Sequence, residues 1–485
     1  MSLEKQLAEK ARQTQSPKPK RRRKPKSVGT DATDPLSVQS PEGQTDVANA
    51  RRFIQLHGDD VRYCHPWKKW LVWDGQRWKL DDDGGIIRLG KSVPDAVWRE
   101  ALASGDDRAR RYAAATASDA KIRAMLSLAA AEVPIQPNDM DANPWLLNCP
   151  NGTVDLRTGK LREHRREDSL TQLCPTAFNP EAESYAWDRF LEDVFDGDGE
   201  LIEFVQRLFG YILTGDVREQ VLPIFWGSGA NGKSTLLNSF MHAVGPDYSM
   251  QAVPDLLMQK RSDGHPTERA DLFRKRFVSA VETEQNRKLA ESMVKMLTGG
   301  ERIRVRRMRE DFWEFEPTHK IVLCTNHRPE VKGQDNAIWR RLRLVPFTVR
   351  FEGDRQDKTL PEKLAVEAEG ILAWAVRGCV EWLRDGLGEP AAVSVATKEY
   401  RSEQDVLGRF VNDCCLTGDP FVVKFSLLYA AIERWCDDVG DETPKKRTVG
   451  QFLKERGYQE KHSNGRWYVG ITLKPETDDR SDGDS

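Results

Sequence analysis

The stretch PIFWGSGANGKSTLLNSF, residues 223–240, constrains this chain more than any other. An apolar run that reads as a strand passes through a glycine-rich bend into a segment of helical composition. The bend itself, GSGANGKS at 227–234, matches G-x-x-x-x-G-K-[ST]. Gly227, Gly229 and Gly232 open backbone conformations closed to other residues, so the N–H groups from Gly227 through Ser228, Gly229, Ala230, Asn231 and Gly232 can surround phosphate oxygens. Lys233 is placed to reach the β- and γ-phosphates and the Ser234 hydroxyl to ligate Mg²⁺. Thr235 follows in the first turn of a helix whose positive end adds to the anion site.

A cradle alone only holds nucleotide; hydrolysis also needs acid. RFVSAVETE, 276–284, reads as a buried strand ending in Glu282 and Glu284, which on one strand face the same side and so can address one site. HKIVLCTNHRPE, 319–330, is a further apolar strand, ending at Asn326, a hydrogen-bonding group for the γ-phosphate or the attacking water. AIWRRLRLVPF, 337–347, sets Arg340 and Arg341 before another strand. Strands alternating with helices argue for an α/β domain over 221–390 with a mostly parallel sheet. No NKxD or TKxD follows the sheet, and ATKEY at 396–400 lacks the Asp that guanine recognition needs, so ATP with Mg²⁺ is the expected cofactor pair.

The rest of the chain supplies the setting. Its 485 residues allow roughly three domains. No apolar run approaches the ~18 residues of a membrane helix, and the N-terminus lacks the apolar core of a secretory signal, so a cytoplasmic protein is expected. Eight scattered cysteines form no metal-binding spacing, no structural metal is expected, and Cys414 with Cys415 reads as helix packing. The net charge of −2 conceals PKPKRRRKPK at 17–26 and ETDDRSDGDS at 476–485. Residues 1–46 therefore read as a disordered basic tail able to meet nucleic acid, and 476–485 as an acidic tail.

Residues 47–185 read as one mixed α+β domain. Hairpins are expected around Asp74-Gly75 and Asn151-Gly152, an Ala-rich helical region lies at 93–133, and Trp67, Trp70, Trp73 and Trp78 read as core. A helical collar is expected at 186–220. From 402 to 475, three helices followed by a hairpin at Asn464-Gly465 suggest a winged helix with Lys454, Arg456, Lys461 and Arg466 available to phosphate. In GGERIRVRRMREDFWEFEP, 299–317, Arg302, Arg304 and Arg306 alternate with Ile303 and Val305. An extended strand there has one cationic and one apolar face, with Arg307 and Arg309 near a hairpin tip and Lys295 a weaker candidate before it.

Taken in order, the cradle, AVETE, KMLTGG and CTNHRPEVKGQDNAIWRRLRLVPF resemble the superfamily 3 helicases, specifically the phage, plasmid and large-DNA-virus primase-helicase family, from about Leu71 to Phe351. The resemblance implies an AAA+-type P-loop ATPase, usually a hexamer, with nucleotide held between subunits. It assigns Lys233 and Ser234 to motif A, Glu282 and Glu284 to motif B with Glu282 near the metal, and Asn326 to motif C. Arg341 resembles the finger inserted into a neighbour's site, with Arg340 or Arg343 as alternatives, and Arg302, Arg304, Arg306, Arg307 and Arg309 fall where the family carries its pore hairpin for single-stranded DNA. Motif B departs from the common pattern, since Thr283 separates its two acids. The expected function is an ATP-dependent ring helicase in the replication of a phage, plasmid or mobile element in a bacterial host, working beside a separate primase. Only about 46 low-complexity residues precede the middle region and Asp81–Asp83 reads as a solvated turn, so primer synthesis is not expected. An ATP-controlled, DNA-binding initiator or regulator that never unwinds remains the alternative.

Overall fold

A computed structural model describes residues 36–475 except 254, 260–265, 283, 285–286, 308–310 and 334–335. The basic stretch 17–26, the acidic stretch 476–485 and Arg309 lie outside the described residues. The chain divides into two compact units, Met1–Asp60 with Asp83–Val133, and Val61–Asp82 with Pro134–Ser485. The single domain expected over 47–185 is thus split, because its helices and its strands bury their apolar faces in different cores.

The first unit is helical, with helices at Asp46–His57, Gly85–Gly90, Ser92–Ser104, Asp107–Thr116 and Asp119–Ala129. Thr45 caps the first by accepting the Ala48 N–H at 3.1 Å, and Asp106 caps the fourth through the Arg108 N–H at 2.8 Å. The boundary expected at 46 falls too late. Val38 is fully buried, Gln44 donates to its carbonyl at 2.7 Å, and Arg52 donates to the Gly43 carbonyl at 2.9 Å, so residues 36–45 fold against the first helix.

In the second unit a five-stranded sheet is formed by β1 (Leu222–Trp226), β2 (Ser249–Gln251), β3 (Phe277–Glu282), β4 (Lys320–Thr325) and β5 (Leu342–Pro346). Their spatial order is β5-β1-β4-β3-β2 and every pairing is parallel. All six residues of β4, the middle strand, are buried. Such burial on both faces explains why these strands read as apolar runs rather than alternations. On one face Phe209, Phe240 and Phe277 meet edge-to-face at 4.5 and 5.3 Å, each contributing about 1.5–3 kcal/mol by burial.

Two three-stranded antiparallel sheets precede the large one, at 61–80 and 146–162. The turn of the first is set by Asp74, whose carboxylate accepts the N–H groups of Gln76 and Arg77 at 2.9 and 2.8 Å, and Trp78 is buried beneath it. The collar comprises helices Tyr185–Val194 and Gly199–Leu213. The second crosses helix Ala368–Asp385 at backbone contact. A Cβ on Gly210 would lie 2.0 Å from the Cys379 nitrogen, and one on Gly378 would lie 2.2 Å from the Gln206 carbonyl oxygen.

The carboxyl end of helix 199–213 is held by two buried cations from the amino ends of β3 and β4. Arg276 donates to the Leu213 carbonyl at 2.7 Å and to the Leu146 carbonyl at 2.6 Å, while Lys320 donates to the Thr214 carbonyl. A helix carboxyl end carries partial negative charge, so it suits these groups.

Helix Ala391–Gln404 packs on β5, where Thr397 accepts the Leu344 N–H at 3.0 Å and Tyr400 is fully buried. The boundary expected at 402 falls inside this helix, and the last module begins at Val406. It runs as helix Val406–Cys414, strand Cys415–Lys424, helices Phe425–Val439 and Lys446–Glu455, and strands Gln459–His462 and Arg466–Leu473. The strand at 415–424 was not expected. It pairs antiparallel with 466–473, so Cys415 opens a strand instead of packing within a helix.

His319 is buried beside Lys320. Burial first, and that neighbouring charge second, push its imidazole down to about 3. A histidine neutral in the fold but titrating near 6.5 when unfolded supports stability above pH 6.5 and loses that support as pH falls toward 3. Between pH 7 and 5 this group should remove about 2 kcal/mol, and urea unfolding of His319→Leu should show a correspondingly weaker acid dependence.

Candidate functional site

Strand register assembles the site. Trp226, Thr325 and Glu282 occupy one row, because Thr325 pairs with Trp226 on one side and with Glu282 on the other. Gly227 and Asn326 therefore leave the sheet at the same level as the Glu282 carboxylate, at the carboxyl edge, where parallel sheets hold ligands.

From β1 the chain enters the glycine-rich loop. Gly232, at φ +85°, caps the helix Lys233–Tyr248, and a Cβ there would lie 2.6 Å from Val194, so the loop rests directly on the collar. Asn231 is buried and donates to the Phe347 carbonyl at 3.2 Å, while the Phe351 N–H donates to the Ala230 carbonyl at 2.7 Å. The segment after β5 thus straps the loop from the other side. Ser228, Gly229, Ala230 and Ser234 are exposed, and Thr235 is half-buried. The helix starts with neither a capping side chain nor an acidic residue in its first turn, leaving its amino end electropositive.

Lys233 is 4% exposed, and its ammonium donates to the Gly227 carbonyl at 2.6 Å, Asn231 Oδ1 at 2.9 Å and Asn326 Oδ1 at 3.3 Å. All three are neutral oxygens. Among the described residues no carboxylate pairs with it, and burial lowers its pKa below the ordinary lysine value. A buried cation supported only by dipoles calls for an anion.

Glu282 is 6% exposed. Its Oε1 accepts the Glu284 N–H at 2.8 Å, and its Oε2 has no hydrogen-bond partner among the described residues. The pairing expected of Glu282 with Glu284 does not form. β3 ends at Glu282, alternation stops there, and the Glu284 side chain stands 68% exposed in an ion pair with Arg287 at 3.2 Å. Arg287 also lies 2.8 Å from Asp255 and 3.9 Å from Glu282 Oε2. Sequence reasoning missed Arg287, and it missed Arg328, which covers Trp226 at 4.0 Å and pairs with Glu403 at 2.6 Å. Arg328 stands two residues after Asn326, which was the available signal.

The arginines before β5 separate by burial. Arg341, the favoured finger, is 8% exposed, and its guanidinium donates to Thr298 Oγ1 at 3.1 Å and to the Ala337 carbonyl. It is committed inside its own subunit, which corrects the expectation. Arg343 is half-buried and donates to the carbonyls of Arg340 and Leu342 at 2.8 and 3.0 Å. Arg340 is exposed. It precedes the first row of β5, whereas the loop follows the last, which puts it roughly 15 Å along the sheet from the Lys233 cradle.

The hairpin forms as expected, Ile303–Val305 pairing with Trp313–Phe315. Ile303 and Val305 are buried, while Arg302, Arg304, Arg306 and Arg307 are exposed. The return strand adds opposing charge. Glu316 pairs with Arg302 at 3.0 Å and Glu314 stands directly across from Arg304. Lys295 is half-buried on helix Glu291–Thr298. In the last module Lys454 and Arg466 pair with Glu460 at 2.7 and 2.6 Å, and Arg456 pairs with Asp405 at 2.7 Å. Of the four cations expected to meet phosphate, only Lys461 stands exposed and outside these pairs.

Residues 50–196 match the family described as D5 N terminal like, and residues 225–341 match a family of unknown function, DUF5906. Together the two matches have the domain architecture of the phage and viral primase-helicase family. "Putative helicase L207/L206" of Acanthamoeba polyphaga mimivirus is 27% identical over 356 residues, covering 67% of this chain and 37% of the relative. "Putative helicase 121R" of Invertebrate iridescent virus 3 is 22% identical, covering 61% and 35%. A "Putative primase" of African swine fever virus is 25% identical, covering 44% and 23%. The chain thus spans little more than a third of these relatives at most. Among solved structures, the apo C-terminal region of NrS-1 aligns with 88% of this chain and 100% of that one at 12% identity, with a TM-score of 0.48. No helix among the described residues is long and apolar enough to cross a membrane.

The two adjacent arginines should part in a melting experiment. Arg341→Ala leaves the Thr298 hydroxyl and the Ala337 carbonyl without their partner and should cost about 2–4 kcal/mol, whereas Arg340→Ala should leave the melting temperature unchanged.

Proposed function

We propose that this chain is an ATP- and Mg²⁺-dependent DNA helicase of superfamily 3 type, acting as a ring of like subunits in replication. The observation that carries the reading is Lys233, a buried ammonium without a counter-charge, set at the positive end of a helix beneath exposed loop backbone. A triphosphate is the ligand of matching charge and extent, and the loop from Gly227 to Thr235 is then a P-loop.

The donor set also fits a magnesium ion. The Ser234 hydroxyl is exposed beside the loop, and at the same edge the buried Glu282 Oε2 accepts no hydrogen bond among the described residues and has only the Arg287 guanidinium at 3.9 Å. Magnesium, when bound, supplies neutralising charge for the phosphate oxygens. Lys233 holds those oxygens in place, Asn326 orients the ammonium and the attacking water, and Glu282 is the acid that faces them. Glu284, exposed and paired, serves Arg287 instead.

Arg340 is the arginine free to enter another subunit's site, since its own cradle lies at the opposite edge of its sheet. A finger supplied by the neighbour stabilises transition-state charge and makes hydrolysis depend on assembly. The hairpin at 303–315 grips the strand being moved. The last module has the helix, strand and wing order of a winged helix and offers Lys461 toward duplex. The helicase and primase names of the relatives support a replicative role.

Forked-duplex unwinding, run beside ATPase assays with and without single-stranded DNA, tests the whole. Wild type should unwind, and Lys233→Ala should lose both activities by at least a hundredfold. Mixing Lys233→Ala with Arg340→Ala subunits should restore part of the hydrolysis, because some interfaces regain both intact groups. Unwinding that persists in Lys233→Ala sinks the proposal, and hydrolysis without strand separation favours an ATP-controlled initiator.

A further inference from the structure

The hairpin carries less net charge than its arginines suggest. Residues 301–316 contain five arginines (302, 304, 306, 307 and 309) against five carboxylates (301, 310, 311, 314 and 316). A neutral element draws little affinity from phosphate alone, since counterion release scales with the phosphates neutralised. Something else must hold the strand if this hairpin is the gripping element.

Phe312 offers it. Its side chain is 49% exposed, although apolar space is close by. Its neighbour Trp313 turns inward onto Phe273 at 4.9 Å, and Phe315 packs there as well at 5.5 Å. Phe312 stands immediately before the strand Trp313–Phe315, and its ring lies with the exposed Arg304 and Arg306, away from the side on which Trp313 and Phe315 pack. Two guanidiniums flank the outward ring, Arg304 at 4.8 Å and Arg306 at 5.0 Å from its centroid. Planar cations over the ring keep it from collapsing onto the protein.

We propose that Phe312 is a stacking platform for an unpaired base, so that the hairpin binds single-stranded nucleic acid through bases as well as phosphates. The proposal rests on the reading of the hairpin as the strand-gripping element. On binding, a base replaces one guanidinium against the ring, and the displaced arginine passes to the adjoining phosphate. Both partners improve, because the base offers a larger flat face and the phosphate a full opposite charge. Duplex DNA, with its bases already stacked, is refused by the same geometry.

The test compares a thymidine oligonucleotide with an abasic strand of equal length, by fluorescence anisotropy of the full chain across a salt series. Wild type should prefer the base-bearing strand by roughly tenfold or more, the range of one stacking contact. Phe312→Ala should lose that preference while keeping the salt slope, and Phe312→Tyr should retain both. Equal affinity of wild type for the two strands, or an undiminished preference in Phe312→Ala, overturns the proposal. Replacing Arg304 and Arg306 together by alanine should lower the salt slope by about one to two units. An unchanged slope with the Phe312 effect present refutes only the phosphate role of those arginines. An unchanged slope with that effect absent removes the hairpin from the strand and refutes both readings.

Discussion

The row formed by Trp226, Thr325 and Glu282 is the constraint on which the rest of the molecule depends. It takes three segments far apart in sequence and ends them at one height. Slippage of a single residue in either pairing would turn the Glu282 carboxylate to the wrong face and move Asn326 off the Lys233 ammonium. The burial of all six residues of β4 guards against this, since a slipped strand would exchange packed side chains on both of its faces.

Charge placement then separates support from function. Arg276 and Lys320 are as buried as Lys233, but their hydrogens point at carbonyls on the negative end of a collar helix. Those carbonyls carry the helix end's partial negative charge, although burial still holds the Lys320 pKa well below the ordinary lysine value. Lys233 sits at the opposite kind of helix end, where peptide dipoles oppose a cation. The same residue class under the same burial meets a negative helix end at one edge of the sheet and a positive one at the other.

What the sequence made legible follows from where its information is local. The loop, the apolar strands and the outward arginines of the hairpin are all written in short runs whose period or glycine content specifies one conformation. The choice between Arg340 and Arg341 is not local. Both precede the same strand, and Thr298, more than forty residues earlier, helps take one of them inside. Glu284 failed for a related reason, since parity holds only while a strand continues and β3 stops two residues before it. In the last module the strand Cys415–Lys424, which was not expected, passes through Gly418-Asp419-Pro420 with an irregular register between Thr417 and Val422. Glu460 and Asp405 likewise neutralise cations that, taken from the sequence alone, stood ready for phosphate. The domain boundary at 402 failed because the helix that starts at Ala391 runs on through it to Gln404, its side packed by Val393, Ala396 and Tyr400.

The crossing at Gly210 and Gly378 leaves no room even for a methyl group. Two helices meeting main chain to main chain cannot roll or slide past each other in small steps, as helices separated by compliant side chains do. Collar and rear helix therefore behave as one stiff lever. Any relative movement of the two has to be taken up outside the crossing, and a bulky side chain at either glycine would force the helices apart.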